Sequence, residues 1–223
     1  MTAKLKRGIT KVKDPGSALT HFIAMILAII AAIPLLSKAG HDSGHMHISA
    51  LAIFILSMIG LYAASTIYHT LDISPKINKL LRKIDHMMIF ILIAGTYTPV
   101  CMIVLGDKTG WTMLTLVWGI AIVGILINAL WITCPKWFSS LIYIAMGWVC
   151  ILAITKILSS MPRAGFMWLL AGGIIYTVGG IIYAMKLPFF NPRHRYFGSH
   201  EIFHLFVMGG SLCHYVMMYR FVA

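Results

Sequence analysis

Acidic residues are scarce in this sequence, since only six of its 223 residues are Asp or Glu and all charged types together make up 11%. A soluble domain carries about 25% charged residues, so a water-soluble globular protein is excluded. The four cysteines form no C-x-x-C pair, which argues against a cysteine metal site and a disulfide framework. Lysines and arginines number 18, but no nucleic-acid-binding motif surrounds them, so no nucleic acid is expected as a partner.

Apolar residues occupy 60% of the positions instead. Seven stretches reach about 20 residues, the length of a helix that crosses a ~30 Å hydrocarbon core. The first is too long for the apolar part of a signal peptide and is interpreted as an uncleaved span. The predicted fold is an all-α integral membrane protein, one seven-transmembrane-helix bundle over residues 1–223, with spans near 18–37, 46–68, 86–105, 110–133, 137–157, 166–186 and 200–220.

Lysine and arginine are divided unevenly between the two sides of this predicted bundle. The N-terminal segment and the loops after the second, fourth and sixth spans hold 13 of them, and the other side holds 5. Because short basic loops stay in the cytoplasm, the N-terminus is predicted to be cytoplasmic and the C-terminus outside, in the cell membrane. Basic residues beside the membrane also attract anionic head groups, and membrane lipids are the expected partners.

Three histidines and one acid fall at a common depth in this predicted membrane topology. His69 ends the second span, Asp85 starts the third, and His200 and His204 lie in the first turns of the seventh. His200 and His204 are four residues apart and therefore project from one helix face. A catalytic zinc takes three protein ligands and keeps one position open for water. We therefore predict a Zn²⁺ site whose ligands are His69, His200 and His204.

Two more side chains belong to the predicted site. Ser65 lies one turn before His69 on the second span and would donate a hydrogen bond to a developing oxyanion. Asp85 would orient or deprotonate the water at the metal. A single histidine near a helix end is more often an interfacial residue, but the common depth of the set favours a site. His214 lies about 15 Å farther along the seventh helix and cannot share the metal.

The string His200-Glu201-x-x-His204 also matches the core of a zinc-protease motif, in which the glutamate is the base. The long form of that motif requires a histidine ten residues after the first one, where this chain has Gly210. Glu201 also points about 100° around the helix from His200. An intramembrane metalloprotease therefore remains a minor alternative, and Asp85 is preferred as the base.

Four segments of the chain resemble, in order, the haemolysin III family, bacterial relatives of the progestin and adipoQ receptors within the CREST superfamily. They are "AASTIYHT", "KIDHMMIFILIAGTYTPV", "AMGW" and "SHEIFHLFVMGGSLCHYVMMY". The resemblance covers about residues 14 to 220. It implies a seven-helix fold with an inside N-terminus and a cytoplasmic-side zinc held by His69, His200 and His204, with Ser65 and Asp85 beside it.

The start of the first span departs from this family. The family usually has an acidic residue followed by Asn-x-x-Thr-His, whereas this chain has Ser17 at the Asn position. Thr20 and His21 match. Any role of that Asn in substrate binding or helix docking is therefore open in this chain.

Two functions agree with the sequence. One is a zinc-dependent hydrolase of lipid amides, ceramide-like or otherwise, or of other acyl lipids. The other is a non-enzymatic protein of membrane homeostasis, receptor-like or membrane-perturbing, in which zinc is structural. The fourth ligand of the metal distinguishes them, because it is water in a catalytic site and a protein group in a structural one.

Overall fold

The computed structural model describes residues 12–42, 44–131, 136–185 and 198–223, and these contain no β-strand. Three short segments continue or join its α-helices: Val100–Leu105 and Met218–Val222 are π-helical, and Trp148–Ala153 is a 3₁₀-helix. The α-helices are α1 (Pro15–Asp42), α2 (Gly44–Thr70), α3 (Pro75–Pro99), α4 (Lys108–Leu130), α5 (Lys136–Gly147), α6 (Ile154–Ser160), α7 (Arg163–Met185) and α8 (Ser199–Met217).

Seven helical segments among the described residues are long and apolar enough to cross a membrane, which confirms the predicted number. One of them, Trp137–Ser160, is built from α5, the 3₁₀ segment and α6. Five predicted ranges lie wholly inside these segments. The other two, 110–133 and 166–186, end at residues outside the described part of the chain.

The third span begins earlier than its apolar pattern indicates. Helix α3 starts at Pro75, and Ser74 caps it by accepting a hydrogen bond from the Ile77 backbone N–H at 3.3 Å. Proline suits the first helical position because its missing N–H needs no partner there. The first turns carry several basic residues, so hydropathy places the start too late. Asp85 therefore lies ten residues inside α3 and not at its start.

Most helices pack on helices that are close to them in the chain, and the first and last helices, α1 and α8, also pack on each other. Helix α1 packs on α2 and α8, α2 on α3, α3 on α4, and α7 on both α5 and α8. Tyr62, Phe54 and Phe90 are fully enclosed at the centre. Large aliphatic side chains such as Ile33 and Leu152 are exposed on the outside, as expected where lipid replaces water as the surrounding solvent.

Helices α7 and α8 approach each other closely at glycines. A Cβ on Gly179 would lie 2.6 Å from Cβ of Phe206, and one on Gly172 would lie 2.7 Å from Nε2 of His214. Nothing lies within 4 Å of a Cβ placed on Gly173. Small residues allow such close helix contacts in membranes, so Gly172 and Gly179 set the position of α8 against α7.

Candidate metal centre

Three histidines meet at the end of the bundle where α1 and α8 begin and α2 ends. Nε2 of His69 and Nε2 of His200 are 3.1 Å apart, and one nitrogen from each of His69, His200 and His204 lies within 4.8 Å of the others. Around a tetrahedral zinc with bonds of about 2.1 Å, ligand nitrogens are about 3.4 Å apart. The cluster could therefore bind a metal after side-chain shifts of about an ångström.

This cluster is the set of ligands that the sequence predicted, and it is largely shielded from solvent. His69 and His204 are each 2% exposed, and His200 is half-buried. Within the described residues, no other group of three His, Cys, Asp or Glu side chains comes this close together. Cys101, Cys150 and Cys213 are free, as expected from their spacing, and Cys134 lies outside the described residues.

The start of α1 supplies hydrogen-bond partners to two of the three histidines. Oδ2 of Asp14 is 3.0 Å from Nδ1 of His69, and Oγ1 of Thr20 is 3.1 Å from Nδ1 of His204. The backbone N–H of Asp14 also donates to the His69 carbonyl at 2.9 Å. An imidazole engaged at Nδ1 presents Nε2 to a metal in a fixed orientation. Helix α1 thus orients two candidate ligands while contributing none.

Lys13 strengthens the same attachment of α1 to α2. Its Nζ lies 3.6 Å from the centre of the Tyr68 ring and 3.9 Å from Oδ2 of Asp14. Partial burial lowers the pKa of Lys13 below its ordinary value, since removal from water disfavours the charged amine. The cation and the aromatic ring hold the residue next to Asp14 at the end of α2.

The carboxylate of Glu201 accepts hydrogen bonds from residues at the beginnings of two helices, α1 and α8. Its Oε1 accepts a hydrogen bond from Oγ of Ser17 at 2.5 Å, and its Oε2 accepts one from the backbone N–H of Gly198 at 2.8 Å. A carboxylate in the first turn also interacts favourably with the helix dipole. Glu201 therefore caps α8 and joins it to α1, and this contact gives Ser17 a structural role at the position where the resembling family usually has Asn.

His21 forms part of the wall behind the cluster. Its ring stacks on that of His204, with centroids 3.6 Å apart and planes 7° from parallel, and it meets Tyr62 edge to face. It is 3% exposed, and neither ring nitrogen has a hydrogen-bond partner among the described residues. The sequence indicated only that His21 lies near this membrane face. Stacking of rings from two different helices cannot be recognised from the spacing of residues along the chain.

Ser65 and Asp85 line the same cavity as His200 and His204. Asp85 is 8% exposed, and its Oδ2 is 3.5 Å from Nδ1 of His86. Ser65 is 1% exposed, and its side chain lies close enough to Asp85 to interact with the carboxylate. Both residues therefore line the same cavity as two histidines of the cluster, and their roles stay predictions.

A cavity of about 160 Å³ leads from the cluster into the middle of the bundle, between α2, α3, α5, α7 and α8. Its wall is mostly aliphatic and aromatic, with Leu92, Ile93 and Phe166 among the lining residues. The lining also includes His204 and His214, which are ten residues and therefore about 15 Å apart along α8. The cavity is thus polar at the histidine cluster and mainly apolar beyond it.

Known proteins are similar to this chain over most of its length. A family model described as "Haemolysin-III related" matches residues 9–215. The chain is 40% identical over 213 residues to Hemolysin-3 of Bacillus cereus, covering 95% of this chain and 93% of that one. It is 37% identical over 200 residues to a Hemolysin-3 homolog of Bacillus subtilis (strain 168), covering 89% of each.

An animal receptor is more distantly similar in sequence to this chain. The chain is 24% identical over 231 aligned residues to the adiponectin receptor protein of Drosophila melanogaster. The alignment covers 93% of this chain and 51% of the receptor. The shared part therefore corresponds to about half of the receptor and nearly all of this chain.

Proposed function

Because the chain belongs to the haemolysin III family of multi-pass membrane proteins, we propose that it is a zinc-dependent hydrolase of lipid amides or other acyl lipids. The observation that carries this proposal is the cluster of three imidazoles, two of which, His200 and His204, line an apolar cavity. Structural zinc is usually enclosed by four protein ligands, whereas catalytic zinc has three and an open position. The described residues supply three.

His69, His200 and His204 fit zinc as a donor set and would hold it through the nitrogens that α1 leaves unoccupied. Zinc held there supplies a Lewis acid, which polarises a carbonyl group and acidifies water. Asp85 accepts the proton of the attacking water on a carboxylate oxygen and passes it to the leaving amine. The Ser65 hydroxyl donates a hydrogen bond to the carbonyl oxygen as negative charge develops there.

The cavity supports a membrane lipid as the substrate. An acyl chain lying along Leu92, Ile93 and Phe166 would bring its carbonyl to the polar end, next to Ser65 and Asp85. The count of basic residues in alternate loops supports a cytoplasmic position for this end of the bundle. The substrate would therefore react at the inner side of the cell membrane.

In a second, non-enzymatic function, the same metal would only hold helices together. His69 belongs to α2 and His204 belongs to α8. His69 is hydrogen-bonded to Asp14, directly before α1, and His204 to Thr20 in α1. Zinc there would join α2 and α8, as a structural ion does, in a receptor-like or membrane-perturbing protein. The names of the two bacillar relatives refer to haemolysis. A hydroxyl and a carboxylate, those of Ser65 and Asp85, line the same cavity as the histidines and favour the hydrolase.

Hydrolysis by the purified protein tests this proposal. The zinc-loaded protein in lipid nanodiscs is given ceramide, a simple N-acyl amide and a phospholipid, and released fatty acid is measured. We expect release that stops after zinc is removed with a chelator and returns when zinc is added back. If no acyl lipid is hydrolysed by protein that carries zinc, the non-enzymatic function replaces the hydrolase.

Glu201→Gln is expected to keep zinc and most of the hydrolytic rate. The carboxylate contacts Ser17 and Gly198, so its replacement weakens a helix cap, at a cost of about 1 kcal/mol, without removing a proton acceptor from the reaction. Zinc content and rate are measured together, with Ser17→Ala as the matched variant that breaks the same contact from α1. A rate that vanishes while zinc stays bound would restore the protease-like role of Glu201.

Asp14→Asn and Thr20→Val are each expected to weaken zinc binding by about 10–100-fold, because each removes the partner that orients a candidate ligand. Zinc affinity is measured by competition with a chelator. Asp72→Asn is the control, since it makes the same change of charge at an acid bonded to Asn78 and not to a histidine. Equal affinities in Asp14→Asn and Asp72→Asn would show that Asp14 does not act on the metal through His69.

A further inference from the structure

His214 is a buried imidazole that the proposed reaction does not use. It is 5% exposed and lines the cavity at a depth that is about 15 Å from His204 along α8. Its Nδ1 is enclosed and has no hydrogen-bond partner among the described residues. Leaving a buried polar atom unpaired is unfavourable, so this residue requires an explanation that core packing does not give.

The neighbouring helix holds the His214 ring in one place. Nε2 lies 2.7 Å from the position of a Cβ on Gly172, so only glycine fits there. The ring of Tyr176 stacks against it, with centroids 5.3 Å apart and planes 30° from parallel. The histidine is thus held against two residues of α7 at a position where it lines the cavity.

Several polar groups on the helices around the cavity are paired with one another and not with His214. The Tyr62 hydroxyl donates to Oγ of Ser211 at 2.7 Å, and the Tyr176 hydroxyl is 2.8 Å from the same oxygen. Trp148 is likewise bonded to Thr177 at 2.9 Å. These groups therefore do not take up the hydrogen-bonding capacity of His214, which an occupant of the cavity could use.

We propose that His214 binds a hydrogen-bonding group on the hydrocarbon chain of the lipid, such as a mid-chain hydroxyl. This inference rests on the proposed function only in placing the carboxyl or amide end of the lipid at the histidine cluster. A separation of about 15 Å along α8 corresponds to about a dozen carbon atoms of an extended chain. A chain oxidised at that distance from its carbonyl group matches the cavity at both ends, whereas a plain chain leaves His214 unpaired.

Binding of three fatty acids to the zinc-loaded protein in nanodiscs tests the proposal. The probes are stearate, 12-hydroxystearate and 3-hydroxystearate, and each dissociation constant is measured by displacement of a fluorescent fatty acid. We expect 12-hydroxystearate to bind about 10-fold more tightly than stearate, as one buried hydrogen bond allows, and 3-hydroxystearate to show no such gain from His214. The preference should persist in His214→Gln, which keeps a donor and an acceptor.

Three variants assign the preference to the ring. It should disappear in His214→Leu and in His214→Phe, which fill the site without a hydrogen-bonding atom, and it should remain in Gly173→Ala, which meets nothing within 4 Å. Stearate binding reports the integrity of the cavity in every variant, and zinc content should not change. Equal binding of the three acids to the wild type, or a preference that survives in His214→Leu, would overturn this inference alone. If no acid binds, the acyl cavity of the proposed function fails as well.

Discussion

Replacement of His69, His200 or His204 by alanine is expected to reduce bound zinc from about one ion per chain to nearly none. Each variant leaves only two imidazoles, and two neutral nitrogen ligands do not complete either a catalytic or a structural zinc site. The three side chains come from α2 and α8 and converge within 4.8 Å. Elemental analysis of protein passed through a desalting column gives the zinc content directly.

His214→Ala is the control for this prediction. Its imidazole is as buried as those of the cluster and belongs to the same helix, α8, but it is about 15 Å away. It should retain the full metal content, and so should His45→Ala, which removes an exposed histidine near the start of α2. Zinc at the wild-type level in the triple variant of His69, His200 and His204 would eliminate the proposed centre.

Asp85→Asn is expected to lower hydrolysis by about 10²–10⁴-fold, the usual contribution of a general base, while zinc stays bound. Asparagine has the size of aspartate but cannot accept the proton of the attacking water. The carboxylate is 8% exposed and is compensated by His86 at 3.5 Å, so its retention in an apolar span indicates a functional group. Rate and zinc content are compared in the same preparations.

Asp107→Asn is the matched control at the other end of the bundle. Asp107 accepts hydrogen bonds from the Thr109 and Gly110 backbone at the start of α4 and pairs with Lys156. That pairing holds the pKa of Asp107 below its usual range. The variant should lose some stability and keep its rate. Undiminished hydrolysis in Asp85→Asn would falsify the assignment of Asp85 as the base.

The apolar pattern was sufficient to predict the seven spans but not where every helix ends. Hydropathy detects contact with lipid, and the turns from Pro75 to Ile84 carry lysine and arginine although they are helical. Their boundary is determined by the Ser74 cap and by Pro75, which are local signals of helix initiation. Hydropathy together with these initiation signals predicts a helix that begins before Asp85 and contains it.

The candidate ligands could be predicted because membrane topology fixes depth, and residues at one depth in one bundle come close together. The partners of these ligands could not. Thr20 and His204 are 184 residues apart in sequence, as are Ser17 and Glu201, and their pairing depends on how α1 rotates against α8. Packing sets the rotation of a helix about its axis. A helix that is apolar on most sides has no hydrophobic periodicity from which this rotation could be predicted.

The separation of His69 and His200 by 131 residues affects how the metal centre arises during synthesis. The chain emerges from its N-terminus, so α1 and α2 exist, with Asp14 already able to bond His69, long before α8 has been made. A chain that stops before Ser199 contains one imidazole of the three. If the proposed centre holds zinc, all three ligands are present only after the start of α8 has been made, and zinc content would distinguish the full chain from forms truncated before it.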